Sequence, residues 1–255
     1  MIKDKKNLLN IALTLVTIIG LIVVWLISAL AIGEEIILPT PFETISEVFL
    51  LMKESGFWLG LLSSLGRSLI AFLISFVLGF ALAVLVKFYK FSAPVVKVIV
   101  AILRAIPTIA IVLLLLLWTN SRLASMIVTM LVVLPTIFSM MQVALTKIDY
   151  DIIEMCKIYN VPKKKIFLKY IMPIILTEIL RAIGSVLSLN IKLIVASEVL
   201  AGTANSIGSM MSQSKIYFET SRLFALVIIM ISIAVIIELV FNIISTKVGK
   251  KNGLE

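Results

Sequence analysis

Residues 59–86 read LGLLSSLGRSLIAFLISFVLGFALAVLV, a block whose one charged residue is Arg67. Its apolar residues follow neither the 3.6-residue period of a half-buried helix nor the alternation of a strand. They are unbroken, and a run of about 18 or more is long enough to cross a bilayer. Backbone in contact with lipid must satisfy its own hydrogen bonds, so the block is a helix. Five comparable blocks flank it, at about 10–32, 95–118, 123–145, 171–200 and 223–246. The sequence therefore predicts an all-α membrane protein of about six transmembrane helices, with residues 1–255 forming one domain.

The composition agrees. Of 255 residues, 61% are hydrophobic and 15% charged, where soluble domains average about 45–50% and about 25%. The net charge of +9 is not that of a nucleic-acid binder, because the lysines cluster at the ends of apolar blocks and not on a solvated basic face. One cysteine, Cys156, excludes an internal disulfide. With no histidine in the chain, imidazole bases and histidine-ligated metals are absent. The first block, flanked by Lys3, Lys5 and Lys6, resembles a signal peptide, and Ala29-Leu-Ala31 offers a cleavage site. Its length exceeds a signal core, so it is expected to remain as an uncleaved first span.

Lysine and arginine set the orientation. With the N-terminus inside, the inside segments hold fifteen lysines and the outside segments only Lys53, Arg122, Lys215 and Arg222. That positive-inside bias places both termini in the cytoplasm. The first outside loop carries Glu34, Glu35, Glu43, Glu47 and Glu54 instead.

The longest inside loop, about 146–170, lies between spans four and five. Residues 149–159 predict a short amphipathic helix with Ile152, Met155, Cys156 and Tyr159 on its apolar face. Asp149 and Asp151 suit its positive start, and Asn160 suits a left-handed cap. Pro162 fits the first turn of a second helix through 163–169, and Pro173 opens the fifth span.

This loop resembles the cytoplasmic EAA loop of ABC importer permeases. The family's Glu-Ala-Ala, glycine and Leu-Pro fall on Glu154-Met155-Cys156, Asn160 and Met172-Pro173, with both alanines and the glycine replaced. Further matching pieces are Leu38-Pro-Thr-Pro41, Ser64-Leu-Gly-Arg67, Arg104-Ala-Ile-Pro107, Glu198 and Ser206-Ile-Gly208. They are most similar to the sulfonate, nitrate and taurine branch, from which Ala182, Gly184 and Ile191 depart. The resemblance implies a permease core at about 59–246 and two copies, or two similar chains, around a central path. It implies a separate ATPase subunit, an extracytoplasmic binding protein and residence in a bacterial cytoplasmic membrane. It also implies that Asp151, Ile152, Glu154, Met155, Cys156, Tyr159, Asn160 and Pro173 engage the ATPase. The chain has no Gly-x-x-x-x-Gly-Lys-Ser/Thr loop, so it is not expected to be an enzyme or to bind a cofactor. ATP and magnesium are expected on the partner.

Ionisable residues within spans are costly and face a bundle interior or cavity. Glu178 and Arg181 are spaced to pair on one helix face, while Arg67, Arg104 and Glu198 lie near span ends, where long side chains snorkel. Ser185, Ser188 and Lys192 share a face, with Asn190 beside them. Two readings stand for this polar stripe, the lining of a path for an anion or polar glue between helices. Arg104, Pro107 and Glu198 join it as candidate path residues, and Pro107 and Pro135 are expected to kink their helices. Gly79 and Ala83 are spaced for close helix contact. Expected solutes are sulfonate, taurine or nitrate, with thiamine-precursor pyrimidines and riboflavin-like heterocycles as alternatives. A stand-alone transporter or channel would call for internal repeats, and an intramembrane enzyme for a convergent nucleophile and base. The sequence shows neither.

Overall fold

The structure, a computed structural model, describes residues 2–251, with side chains from residue 12 to residue 250. All regular elements among the described residues are helical: α1 (Ile2–Ile32), α2 (Pro41–Leu51), α3 (Ser55–Phe88), α4 (Ala93–Ala105), α5 (Thr108–Leu116), α6 (Ser121–Thr146), α7 (Tyr150–Ile158), α8 (Lys163–Ile166), α9 (Met172–Ala201), α10 (Ile207–Ile216) and α11 (Thr220–Lys251). Five stretches are long and apolar enough to cross a membrane: Ala12–Ile32, Ser55–Phe88, Ser121–Thr146, Lys163–Ala201 and Thr220–Lys250. They match five of the six expected spans.

The third expected span is broken. α4 and α5 meet at 87°, a sharper feature than the expected kink. Ile106 is extended (φ −71°, ψ 125°), as a residue before proline prefers, and Pro107 cannot supply the N–H that would continue the helix. Pro135, by contrast, is accommodated inside one continuous α6. The fifth span also starts earlier than expected. α8 runs into α9 through a π-helical turn at Phe167–Ile171. The wide turn includes Lys169, whose carbonyl the Pro173 ring would otherwise meet.

The bundle is built on α3, α6, α9 and α11, with α6 packed against both α3 and α9 and α11 against α9. In lipid, apolar burial gives helices little reason to associate, so close packing at small residues does the work. A Cβ added at Gly79 would lie 2.8 Å from the Ile137 side chain, and one at Gly184 would lie 2.9 Å from that of Phe241. The Gly79 and Ala83 face is thus used within the chain, against α6. α1 stands largely outside the bundle, with 6% of its apolar stretch buried. It is tethered by the Trp25 indole, which donates to the Pro39 carbonyl (2.9 Å) and stacks on Phe224.

Candidate functional site

The loop after α6 is a built feature. Asp149 caps α7 by accepting from the Asp151 N–H at 2.9 Å. The helix ends in a Schellman arrangement: the Val161 N–H donates to the Cys156 carbonyl (2.9 Å) and the Asn160 N–H to that of Lys157 (3.0 Å). Asn160 takes φ 53°, the left-handed cap expected of it. The Tyr170 hydroxyl accepts from the Asp149 N–H and donates to its carbonyl. Lys87, at the end of α3, donates to the Leu145 carbonyl (3.2 Å), and its ammonium sits 4.7 Å from the centre of the Tyr150 ring. Buried Ile148 and Ile166 and half-buried Ile153 anchor the loop from beneath.

α7 thus turns one side to its own bundle and the other outward. Asp151, Glu154, Met155, Ile158 and Tyr159 are exposed, while Ile152 and Cys156 are half-buried. Ile158 and Tyr159 are 74% and 76% exposed, which leaves a charged and apolar surface with nothing in this chain to cover it. The expected apolar face is rotated: Ile153 supplies the inward contact, and Ile158 joins Met155 and Tyr159 outside. Sequence spacing missed Lys87 and Tyr170 because their roles depend on partners far along the chain, and Ile158 because only the packing of α7 shows which side faces out.

The span residues divide. Glu178 and Arg181 pair at 3.0 Å as expected. Ser185 and Lys192 are exposed on α9, whereas Ser188 and Asn190 are buried. The Asn190 amide donates to the Ser68 carbonyl (2.8 Å) and hydroxyl (2.6 Å), joining α9 to α3. Arg104 does not snorkel freely. It donates to the Pro135 carbonyl (3.2 Å) and the Ser139 hydroxyl (2.5 Å), in a groove of about 460 Å³ between α4 and α6 that Lys97 also lines. Arg67 and Glu198 do not snorkel either. They pair with each other at 2.8 Å, and Glu198 is fully buried. The expectation for these three failed because spacing along one helix says nothing of a partner on another.

At the end of the bundle away from α7, Arg222 gathers three carboxylates, from α2 and from the turns before α3 and α11. It grips Glu54 with two bonds (2.8 and 2.5 Å), with Glu47 at 3.5 Å and Glu219 at 3.9 Å. The Ser221 hydroxyl donates to Glu35 at 2.6 Å. Burial pushes the Glu47 carboxyl above the usual range against the pull of Arg222, and the neighbouring Glu54, Glu219 and Glu35 add to the rise. The hydrogen bonds from Arg222 hold Glu54 below that range. A lowered carboxyl stabilises the fold above its unfolded value and loses that as pH falls through the lowered one. A raised carboxyl costs stability as pH rises through the raised value. At neutral pH, Glu54→Gln is therefore expected to cost the modest worth of an exposed pair, about 0–1 kcal/mol, and so to lower the thermal midpoint slightly. Glu47→Gln should leave it unchanged or raise it. Thermal unfolding of the detergent-purified protein at pH 7 and pH 4 checks this, and the gap between the two variants should narrow at the lower pH.

Residues 75–250 match the protein family described as binding-protein-dependent transport system inner membrane component. Two solved structures of the MetNI methionine ABC transporter in inward-facing conformations are similar in fold. The SeMet-soaked form has a TM-score of 0.61 at 20% identity, over 75% of this chain and 96% of that one. The native form has 0.63 at 19%, over 77% and 99%. No curated protein matches the sequence significantly.

Proposed function

Because the chain belongs to the family of binding-protein-dependent transport system inner membrane components, we propose that it is the membrane-spanning permease subunit of an ABC importer, with α7 as the helix that engages the ATPase. One observation carries the second half of this reading: an anchored, capped helix holds Glu154, Met155, Ile158 and Tyr159 outward with no covering partner. An amphipathic helix seated in a partner's groove is a recurrent mode of docking. Glu154 pairs with a polar or basic group inside the groove, and Met155, Ile158 and Tyr159 fill the pocket. Asp151, Ile152, Cys156, Asn160 and Pro173 shape and hold the helix. In this reading the α7 end is cytoplasmic, in keeping with the positive-inside bias of the lysines, and ATP with magnesium is bound and hydrolysed by the partner.

A second copy of the chain, or a similar permease, completes the path. An extracytoplasmic binding protein delivers the solute to the end where Arg222 and its carboxylates lie. The exposed face of α9 with Ser185 and Lys192 supports a path lining, and a cation there favours an anion such as a sulfonate, taurine or nitrate. Arg104, beside the break at Pro107, adds a second cation. Co-expression with the ATPase subunit of the same source and pull-down from detergent tests the reading. A complex retained through size exclusion supports it, and an ATPase that never associates overturns it.

For the path, Lys192→Ala is expected to lower uptake of an anionic solute about tenfold while sparing a neutral heterocycle, since a short-range charge interaction near a low-dielectric wall is worth about 1–2 kcal/mol. Uptake in liposomes of a panel holding sulfonate, nitrate, methionine and a neutral pyrimidine reads this out. An equal loss for all solutes would remove Lys192 from selectivity.

A further inference from the structure

One carboxylate, Glu198 on α9, is the meeting point of three helices. Its Oε1 accepts from the Arg67 Nε of α3 at 2.8 Å, and the Arg67 Nη2 completes the ion pair at the same distance. Its Oε2 accepts from the Ser64 hydroxyl at 2.7 Å and from the Gly208 N–H at 3.4 Å. Ser64 in turn accepts from the Ile207 N–H at 3.0 Å. The first two N–H groups of α10 are thus directed at a buried anion and the hydroxyl bonded to it, an arrangement the helix dipole favours. Arg67 also donates to the Asn205 carbonyl at 3.3 Å, in the turn before α10, where Asn205 holds φ 51°. There is no slack in this seat, because a Cβ at Gly208 would lie 2.4 Å from that of Glu198.

The chemistry of this seat differs from that of the rest of the bundle. Elsewhere, helices meet through apolar and small residues and a few hydrogen bonds, such as that of Asn190 with Ser68, and no other ion pair between helices is fully buried on its acidic side among the described residues. α10 buries Ile207, Gly208 and Ser214 and packs Met210 and Met211 on the apolar core, and the rest of it is serines, Gln213, Lys215 and exposed Ile216. Burying an ion pair for stability alone is poor economy, since apolar residues of similar volume do as well or better. What a buried pair does supply is one geometry that holds and a steep penalty for any other.

We infer that Arg67 and Glu198 are positioning residues that latch α10 over the end of the bundle remote from α7. In the importer, on which this inference rests, the latch keeps that end closed until the loaded binding protein arrives. Ser64 is its third member, carrying the carboxylate's hold to the Ile207 N–H.

Two measurements test the latch. The first uses the permease alone in nanodiscs and reads hydrogen exchange. Glu198→Gln should speed exchange about tenfold or more in residues 203–216 and leave the middle of α6 and α9 unchanged, as expected of a local opening. Uniform acceleration, or none, would overturn the latch. The second uses the complex with its ATPase in liposomes. Glu198→Gln and Arg67→Gln should raise ATP hydrolysis without binding protein about fivefold toward the stimulated level, with less uptake per ATP. Arg67→Lys, which keeps the charge, should restore part of the coupling. A merely structural role would lower basal and stimulated rates together, and an unchanged ratio overturns the coupling claim. Should Glu198→Gln fail to assemble, Ser64→Ala is measured in the same two ways under the same criteria. A wild-type complex that loaded binding protein never stimulates would sink the importer reading, while the exchange data would still decide whether the pair holds α10.

Discussion

Replacing Glu154 with lysine is expected to separate this chain from its ATPase while leaving the permease itself intact. Glu154 is exposed on α7, so the substitution disturbs no packing. Surface changes of this kind stay within about 0.5 kcal/mol of the parent in stability. The capping bond of Asp149 and the Schellman turn at Asn160 fix the helix from both ends. Tyr170 and Lys87 fix its base. Charge reversal therefore acts at the docking surface. Losing one partner of a buried, hydrogen-bonded charge pair costs about 2–5 kcal/mol of association, enough to abolish co-purification at micromolar concentration. Tyr159→Ala, which removes an aromatic anchor, should weaken the same complex by about 2 kcal/mol. Co-purification and transport that survive Glu154→Lys would contradict the docking role of α7.

The second large effect is at Gly208. A Cβ there would fall 2.4 Å from the Glu198 Cβ and 2.7 Å from the Val199 backbone nitrogen. Both are backbone or next to it, so neither can swing aside. Gly208→Ala is therefore expected to cost about 1–3 kcal/mol through overpacking, and a larger side chain more. Gly66→Ala, on exposed α3 surface with nothing within 4 Å of the new atom, should instead be neutral or stabilising by about 0.5–1 kcal/mol, as helical glycine is costly. Thermal midpoints of the two variants in one detergent decide the matter. Equal stability would mean that α10 is not seated against α9 as described.

The fold was legible where hydropathy alone suffices. Long apolar blocks must be helices in lipid, and five match. α2 and α10 were not foreseen because each is too short and too mixed for that signal. Their starts were nonetheless written in the sequence. Thr40 and Glu43 form a capping box ahead of α2, and Ser206 caps α10 by accepting from the Ser209 N–H. The third block hid its break because mean apolarity is blind to backbone direction, and only Ile106-Pro107 marks the turn. The α7 loop was readable in detail, since caps, a left-handed asparagine and prolines are local. Pairs three residues apart, such as Glu178 with Arg181, are also local. Arg67 with Glu198 and Asn190 with Ser68 are not, and only the packing of α3 against α9 brings them together. The polar stripe on α9 divides for a related reason. Ser185 and Lys192 are one face, and Ser188 lies about 60° round the helix, enough to carry it into the packed side.

The most direct test of the account is solute uptake into liposomes holding this chain, with and without its ATPase subunit, given ATP and the extracytoplasmic binding protein. The account predicts uptake only when ATPase, ATP and binding protein are all present, and its loss in Glu154→Lys. Uptake by the chain alone, driven by a solute or ion gradient and indifferent to ATP, would contradict it and make this a stand-alone transporter.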